Sequence, residues 1–416
     1  MNLNRVAVTG IGALCGLGNS LDEVWANALA GKPGITKIER QDTTDWPVQI
    51  AGEVKNFKLD PVLMAEKDQE RFDLFNQYAL HAGTEAIKMA KLMDAPYDKG
   101  RIGVVFGTGL GGFPDIEKQH KNFLEKGHRR VYRFFIPSVI PNMGPALLAV
   151  HYGFKRFNFS VASACASAAH ALGVAAAEIM LGRHDAIVTG GTEAVITPYT
   201  LAGFNSMKAV SRRNEEPSRA SRPFDVDRDG FIMGEGAGII VLENLEKAKA
   251  RGARIIAEVV GWGASDDAYH FTAPLPDGAG FVQCMNQAIE QAGIKPSDVG
   301  YINAHGTSTP LGDIAETKAV KTLFGDYAKN GLLVSSTKSM TGHLLGAAGG
   351  LESIFCIKAL ETGMIPPTIN LEKQDPECDL DYVANKARKK DIKYALNNSF
   401  GFGGTNSSTL FKKYEG

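Results

Sequence analysis

Four residues of this chain join a reactive side chain to a segment able to aim it: Cys165, His305, Lys338 and His343. Cys165 stands in VASACASAAHALG, where a short β-branched run gives way to small helix-forming residues. At such a junction a side chain is exposed, and the positive helix end with its free N–H groups points at it. The setting predicts a thiol of lowered pKa beside an amide able to hold an oxyanion. A cysteine among alanines and serines is otherwise a small core residue, so its partners must decide. His305 follows a strand in NAHGTSTP, a glycine- and threonine-rich loop that cannot extend the strand and leaves the imidazole free to work. Lys338 and His343 share STKSMTGHLLGAAGG. About one and a half helical turns separate them, so only a junction can turn both into one pocket. NNSFGFGGTN, residues 397–406, reads as a glycine loop that offers a backbone donor and an aromatic ring free to swing. A thiol, two imidazoles and oxyanion donors are the equipment of thiol-dependent acyl transfer.

The elements that would position these residues alternate. Runs of β-branched residues (RVAVTGIG, RIGVVFGTG, DAIVTGG, RIIAEVVGWG, VGYINAHG, GLLVSS) are separated by Ala-rich helical stretches, the pattern of an α/β protein with buried strands. The chain also echoes itself. Setting Val161 against Val334 aligns VASACASAAHALGVAA with VSSTKSMTGHLLGAAG and pairs Cys165 with Lys338. VTGIG from Val8 matches VGWGA from Val260, GVVFGTG from Gly103 matches GYINAHG from Gly300, and GGTE from Gly190 matches GGTN from Gly403. Echoes in one order predict two halves of like topology, residues 1–252 with the nucleophile and 253–416 with the histidines. Segments near 113–158 and 200–230 then read as cap insertions in the first half, and the junction of the halves as the place for a site.

Composition narrows the function. With 45 Lys+Arg against 46 Asp+Glu, a net charge of −1, and 44% apolar residues, the chain is neither a basic nucleic-acid binder nor a disordered acidic one. Five cysteines (Cys15, Cys165, Cys284, Cys356, Cys378) form no disulfide framework or zinc spacing, which predicts a reducing cytoplasmic setting. Thr9 and its neighbouring glycines break the apolar N-terminal run, which reads as a first strand and not a secretory signal. Val161–Leu181 is apolar but holds His170 and Glu178, so it predicts a buried helix and not a membrane span.

Three motifs point elsewhere. GTGLGG, residues 107–112, has dinucleotide-loop spacing, but Phe113-Pro114 follows where a helix should already run. TGIGALCGLG resembles a reductase nucleotide loop, although no Tyr-x-x-x-Lys pair accompanies it, and leaves an NAD(P)-dependent reductase as a rival reading. DVDRDG, residues 225–230, copies half a calcium loop, with Gly236 where the bidentate Glu belongs.

Taken as a set, ACAS around Cys165, RPFDVDRDGFIMGEGAG, NAHGTSTPLGD, SSTKSMTGHLLGAAG and NSFGFGGTN span the whole chain in order. The chain resembles the β-ketoacyl-acyl carrier protein synthases of the thiolase superfamily, and among them the type II elongating enzymes. The resemblance implies a five-layer αβαβα fold built from two pseudo-duplicated halves. It implies that Cys165 takes an acyl group from acyl carrier protein as a thioester. His305 and His343 would hold the malonyl thioester oxygen during decarboxylation, and the resulting carbanion would attack the acyl group in a Claisen condensation. The amides of Cys165 and Phe402 would form the oxyanion hole. Lys338 would orient His343 and supply positive potential, Glu352 would anchor the region, and Phe402 would gate the acyl channel.

By the same resemblance Leu110, Phe135, Phe204, Phe400, Thr307 and Thr309 contact substrate, with Phe135 reaching over from a second subunit of a homodimer. Lys67, Arg71, Arg129, Arg130 and Lys208 would dock the acidic carrier protein, although Glu70 reverses a charge in that segment. Ser163 stands where the family more often has threonine. The family implies no cofactor, metal, nucleic acid or membrane, and a role in cytoplasmic fatty acid elongation. A polyketide-type ketosynthase remains open, and so does a non-catalytic partner subunit, which retention of Cys165 disfavours.

Overall fold

In the computed structural model, which describes residues 3–416, the β-branched runs are strands of one ten-stranded sheet. The strands are β1 (Val6–Cys15), β2 (Ile102–Gly107), β3 (Asn158–Val161), β4 (Ala186–Glu193), β5 (Gly236–Asn244), β6 (Ala257–Asp266), β7 (Val299–Asn303), β8 (Leu333–Ser335), β9 (Tyr394–Phe400) and β10 (Thr405–Lys413). Their order across the sheet is β8-β7-β9-β10-β6-β1-β5-β4-β2-β3. Read outward from the centre, β1-β5-β4-β2-β3 repeats as β6-β10-β9-β7-β8. The two runs join through a short antiparallel seam of Val6–Val8 with Ala257–Val259.

Helices fill the faces. We label the major ones α1 (Leu74–Ala90), α2 (Met143–Tyr152), α3 (Ser167–Met180), α4 (Ala279–Ala292), α5 (Pro310–Phe324) and α6 (Ala348–Thr362). Helices α3 and α6 touch each other and pack against strands of both runs. They are buried through most of their length and so form the central layer. Helices α1 and α2 cover the first run from outside, and α4 with α5 the second. The result is the five-layer thiolase-like arrangement. Both faces of the central strands β1, β4 and β5 are dry, which is why they read as unbroken apolar stretches. At α1 the approach is so close that a Cβ on Gly10 would sit 2.1 Å from the Ala86 carbonyl oxygen.

Among the described residues no helix is long and apolar enough to cross a membrane. The two sheet edges differ. β8 is buried, and the Val334 N–H donates to the Asp381 carbonyl, so the chain covers that edge itself. β3 is half-exposed with no strand on its outer side.

Several expectations need correction. TGIGALCGLG is no nucleotide loop, because its glycines lie within or just beyond β1, and Gly10 and Gly12 admit α1. A helix does follow GTGLGG, running Phe113–Lys126 with Pro114 in its first turn, where a missing N–H costs nothing. The echo of GGTE with GGTN is not topological: the first ends β4, while the second runs into β10, not the equivalent β9. NNSFGFGGTN is mostly strand, leaving Gly401–Gly404 as the loop. No long helix starts at Lys338 either: one turn covers Lys338–Thr341, and the small-residue helix begins at Ala348.

Candidate active site

Cys165 sits between β3 and α3, in a turn forced by Ala164 at φ +48°. Left-handed backbone is uncommon outside glycine and costs an alanine on the order of 1 kcal/mol. The turn is held by Ser167, whose hydroxyl accepts from the Ser163 N–H at 2.9 Å and donates to the Ala164 carbonyl at 2.7 Å. His170, one turn into α3, meets the Ser163 hydroxyl at 2.7 Å and the Asn406 carbonyl at 3.2 Å, which makes it part of the scaffold.

The second half brings its residues to this sulfur from three directions. His343 is fixed by its own backbone: its N–H donates to the Ile232 carbonyl at 2.7 Å, and its carbonyl accepts from Gly234 at 2.9 Å. An isolated parallel bridge between Met233 and His343 thus lets GFIMGEG bracket the histidine. His343 Nε2 lies 3.0 Å from Cys165 Sγ. His305 follows β7, its ring 5.3 Å from that of His343 and nearly perpendicular to it. Phe400, stacked on Phe281, borders the His305 ring.

Donor atoms of Cys165, His305 and His343 all lie within 4.8 Å of one another, a spacing that serves a metal or a reaction. Two ligands of one tetrahedral zinc stand about 3.5 Å apart. The 3.0 Å contact is shorter and is a hydrogen bond.

Lys338 is 1% exposed and ion-paired with Glu352. Its hydrogen-bond partner is thus Glu352 and not His343, so it acts on the histidine through its field. Burial first, and the Lys338 charge second, hold both imidazoles well below the usual histidine range, so both are neutral at pH 7. Cys165 departs from expectation. Burial pushes its thiol up to about 11, against the opposing pull of Lys338 and a hydrogen bond from the Phe402 amide. Desolvation outweighs the Lys338 charge and the Phe402 amide here, and the resting nucleophile is a thiol whose neighbour His343 can accept its proton.

The sign of that shift gives a test. The other four cysteines are buried, so iodoacetamide reports on Cys165. Its labelling rate is expected to climb about tenfold per pH unit from pH 7 to 9. A plateau near neutrality would mean a thiolate already formed.

The site opens into a cavity of about 650 Å³ lined by Leu110, Phe204, Phe400, Phe402, Thr307 and Thr309 among others, with Cys165, His305 and His343 in its wall. Phe135 is not part of this wall. Lys208 is exposed at its rim. Lys67, Arg129 and Arg130 are exposed, whereas Arg71 is paired with Asp68 at 2.6 Å and covers the Phe134 ring. Phe402 is half-buried, and left-handed Gly403 and Gly404 follow it, so its loop can turn where other residues would resist.

Two carboxylates that the motifs did not single out for a role brace the loops behind the site. Glu316, buried on α5, accepts from the His305 and Gly306 amides at 2.9 and 2.8 Å and from Asn398 at 3.1 Å. It fixes the loop that carries His305. Glu193 does the same for the loop of Leu110. DVDRDG is closed to calcium, since Asp225 is taken up by Arg222 and the amides of Asp227, Glu372 and Lys373.

Known proteins resemble this chain in sequence and in fold. Residues 3–248 match the family described as Beta-ketoacyl synthase, N-terminal domain, and residues 256–372 its C-terminal domain. The chain is 49% identical to a 3-oxoacyl-[acyl-carrier-protein] synthase 2 of Staphylococcus aureus (strain COL) over 99% of both chains. It is 48% identical to a protein of the same name from Vibrio cholerae, over 99% of this chain and 100% of the other. Among solved structures, a beta-ketoacyl synthase from Burkholderia phymatum superposes with a TM-score of 0.91 at 34% identity, covering 99% and 100% of the two chains. A type II polyketide ketosynthase, solved with its acyl carrier protein and bound to a hexaketide, gives 0.89 at 33% over the same shares. With both family domains matched in order on a fold that sets a cysteine against two histidines, this chain belongs to the β-ketoacyl synthases.

Proposed function

We propose that the chain is a 3-oxoacyl-acyl carrier protein synthase, an acyltransferase that lengthens acyl chains by decarboxylating Claisen condensation in fatty acid synthesis. The observation that carries this is a thiol hydrogen-bonded to one of two neutral histidines at an apolar cavity. Two relatives bearing that enzyme name at 49% and 48% identity support the fatty-acid reading over the polyketide one at 33%.

In the first half-reaction Cys165 attacks the carrier's thioester. His343 accepts the thiol proton and returns it to the departing carrier sulfur, so one thioester replaces another at nearly constant energy. The amides of Cys165 and Phe402 receive the tetrahedral oxyanion. Malonyl carrier then enters with its thioester oxygen between His305 and His343. Loss of CO₂ leaves an enolate, whose charge the two N–H donors stabilise as it forms. The enolate carbon attacks the acyl-Cys165 carbonyl, a C–C bond forms, and the thiolate leaves. Lys338, locked to Glu352, keeps positive potential at the anionic steps. Thr307 and Thr309, with hydroxyls 3.0 Å apart, receive the polar arm of the carrier. Residues 1–252 supply the nucleophile and 253–416 the histidines. The partner is acyl carrier protein, met by Lys67, Arg129, Arg130 and Lys208, with Arg71 supporting the patch from behind.

The test is intact-protein mass spectrometry: acyl carrier protein should add one acyl mass, and malonyl carrier should remove it as CO₂ and a chain two carbons longer appear. No adduct with any chain length would sink the reading.

A homodimer completes the cavity. Strand β3 offers an open edge, with Phe159 37% exposed and Ile136 and Val150 exposed on the helices beside it. An apolar open edge is a template for a second strand. Phe159→Asp is expected to shift the protein from dimer to monomer in light scattering and to reduce condensation. A wild type that runs as a monomer would refute the pairing.

A further inference from the structure

The loop GTGLGG has the composition of an anion-binding turn, and in the structure it holds an anion of the chain's own. Glu193, at the end of β4, is fully buried. One carboxylate oxygen accepts from the Thr108 hydroxyl at 2.9 Å and the Leu110 N–H at 3.2 Å. The other accepts from Gly109 N–H at 2.6 Å and Gly346 N–H at 3.0 Å. Gly346 belongs to the opposite wall, just beyond His343. The two backbones meet so closely that a Cβ on Gly346 would lie 2.1 Å from the Gly109 nitrogen and 2.6 Å from the carboxylate. Next to Gly346, Leu345 has φ +48°, a conformation a leucine keeps only where its surroundings impose it. Leu110 and Leu345 both line the cavity that holds Cys165, and Leu110 is still 38% exposed, so side-chain packing alone does not fix it.

We propose that Glu193 is a positioning residue for acyl-chain selectivity: its carboxylate clasps the Leu110 loop to the Leu345–Gly346 turn and so sets the width between two walls of the acyl cavity. A chain that ends near Cys165 does not sense those walls. A longer one threads between them, and wall displacement of about 1 Å changes its rate far more than that of a short chain. The inference rests on the condensing-enzyme reading above.

Glu193→Gln keeps the side chain's shape but turns an N–H₂ group toward backbone N–H donors, which breaks one side of the clasp. The measurement is single-turnover acylation of Cys165, read by intact mass with carrier protein bearing chains from acetyl to palmitoyl, beside a thermal melt. Acetyl transfer is expected to stay within about threefold of wild type, while the rate for the wild type's preferred chain changes about tenfold or more and the optimum moves. Thr108→Val removes one of the four bonds to the carboxylate, together with the hydroxyl's bond from the Gly111 N–H; it is expected to fold even where Glu193→Gln does not, and should move the profile the same way by less. A profile of unchanged shape, whether at full rate or uniformly lowered in step with the melt, overturns the proposal. Wild type that accepts no acyl group at all would instead overturn the condensing-enzyme reading itself.

Discussion

Cys165→Ala is expected to eliminate the acyl adduct and lower condensation about 10³-fold or more, because no other thiol can substitute. Cys15, Cys284, Cys356 and Cys378 are all buried away from the cavity. The two imidazoles do not depend on the sulfur for their positions: His343 is held by backbone pairing to Ile232 and Gly234, and His305 by Glu316. The variant should therefore still release CO₂ from malonyl carrier protein while making no longer chain. Mass spectrometry of enzyme and carrier reads both results in one reaction. Condensation surviving at even a tenth of wild type would remove Cys165 from the mechanism.

Loss of either histidine is expected to reduce condensation about 10²-fold, the usual cost of one oxyanion donor. The two should differ in the first half-reaction. His343 touches the thiol at 3.0 Å and receives its proton, so His343→Ala should slow acylation of Cys165 at neutral pH by about tenfold, with recovery as the pH rises toward the thiol's own range. His305→Ala, which removes no bond to the sulfur, should leave acylation within about threefold of wild type. The double variant should lose less than the product of the two, since both donors serve one oxygen. Equal acylation rates in the two single variants would deny His343 its role with the thiol.

Cys165, His305 and His343 were legible because each stands where one element ends and small or glycine-rich residues begin, a pattern that survives in sequence. Glu316 was not. It sits inside α5 as one more acidic residue, although Asp313 and Glu316 share a face with Ala319 and Val320, and charges on an apolar helical stripe are a signal worth reading. Glu193 was visible only as part of an echo. Strands β9 and β10 escaped notice for another reason: Asn397, Asn398, Ser399, Ser407 and Ser408 are poor strand formers. Tertiary bonds override that preference, as in Ser408 donating to Asn398 at 2.8 Å. The thiol's raised pKa was hidden because desolvation depends on the whole fold, not on the local turn.

The unequal edges of the sheet bear on how large an assembly can grow. With β8 sealed by the segment around Asp381 and β3 left, among the described residues, as the unpaired edge of the ten-stranded sheet, strand addition to that sheet has a single docking face per chain. A face that meets its own copy across a two-fold axis is used up in the act, so growth halts at a closed pair. A sheet open at both ends would instead propagate into filaments.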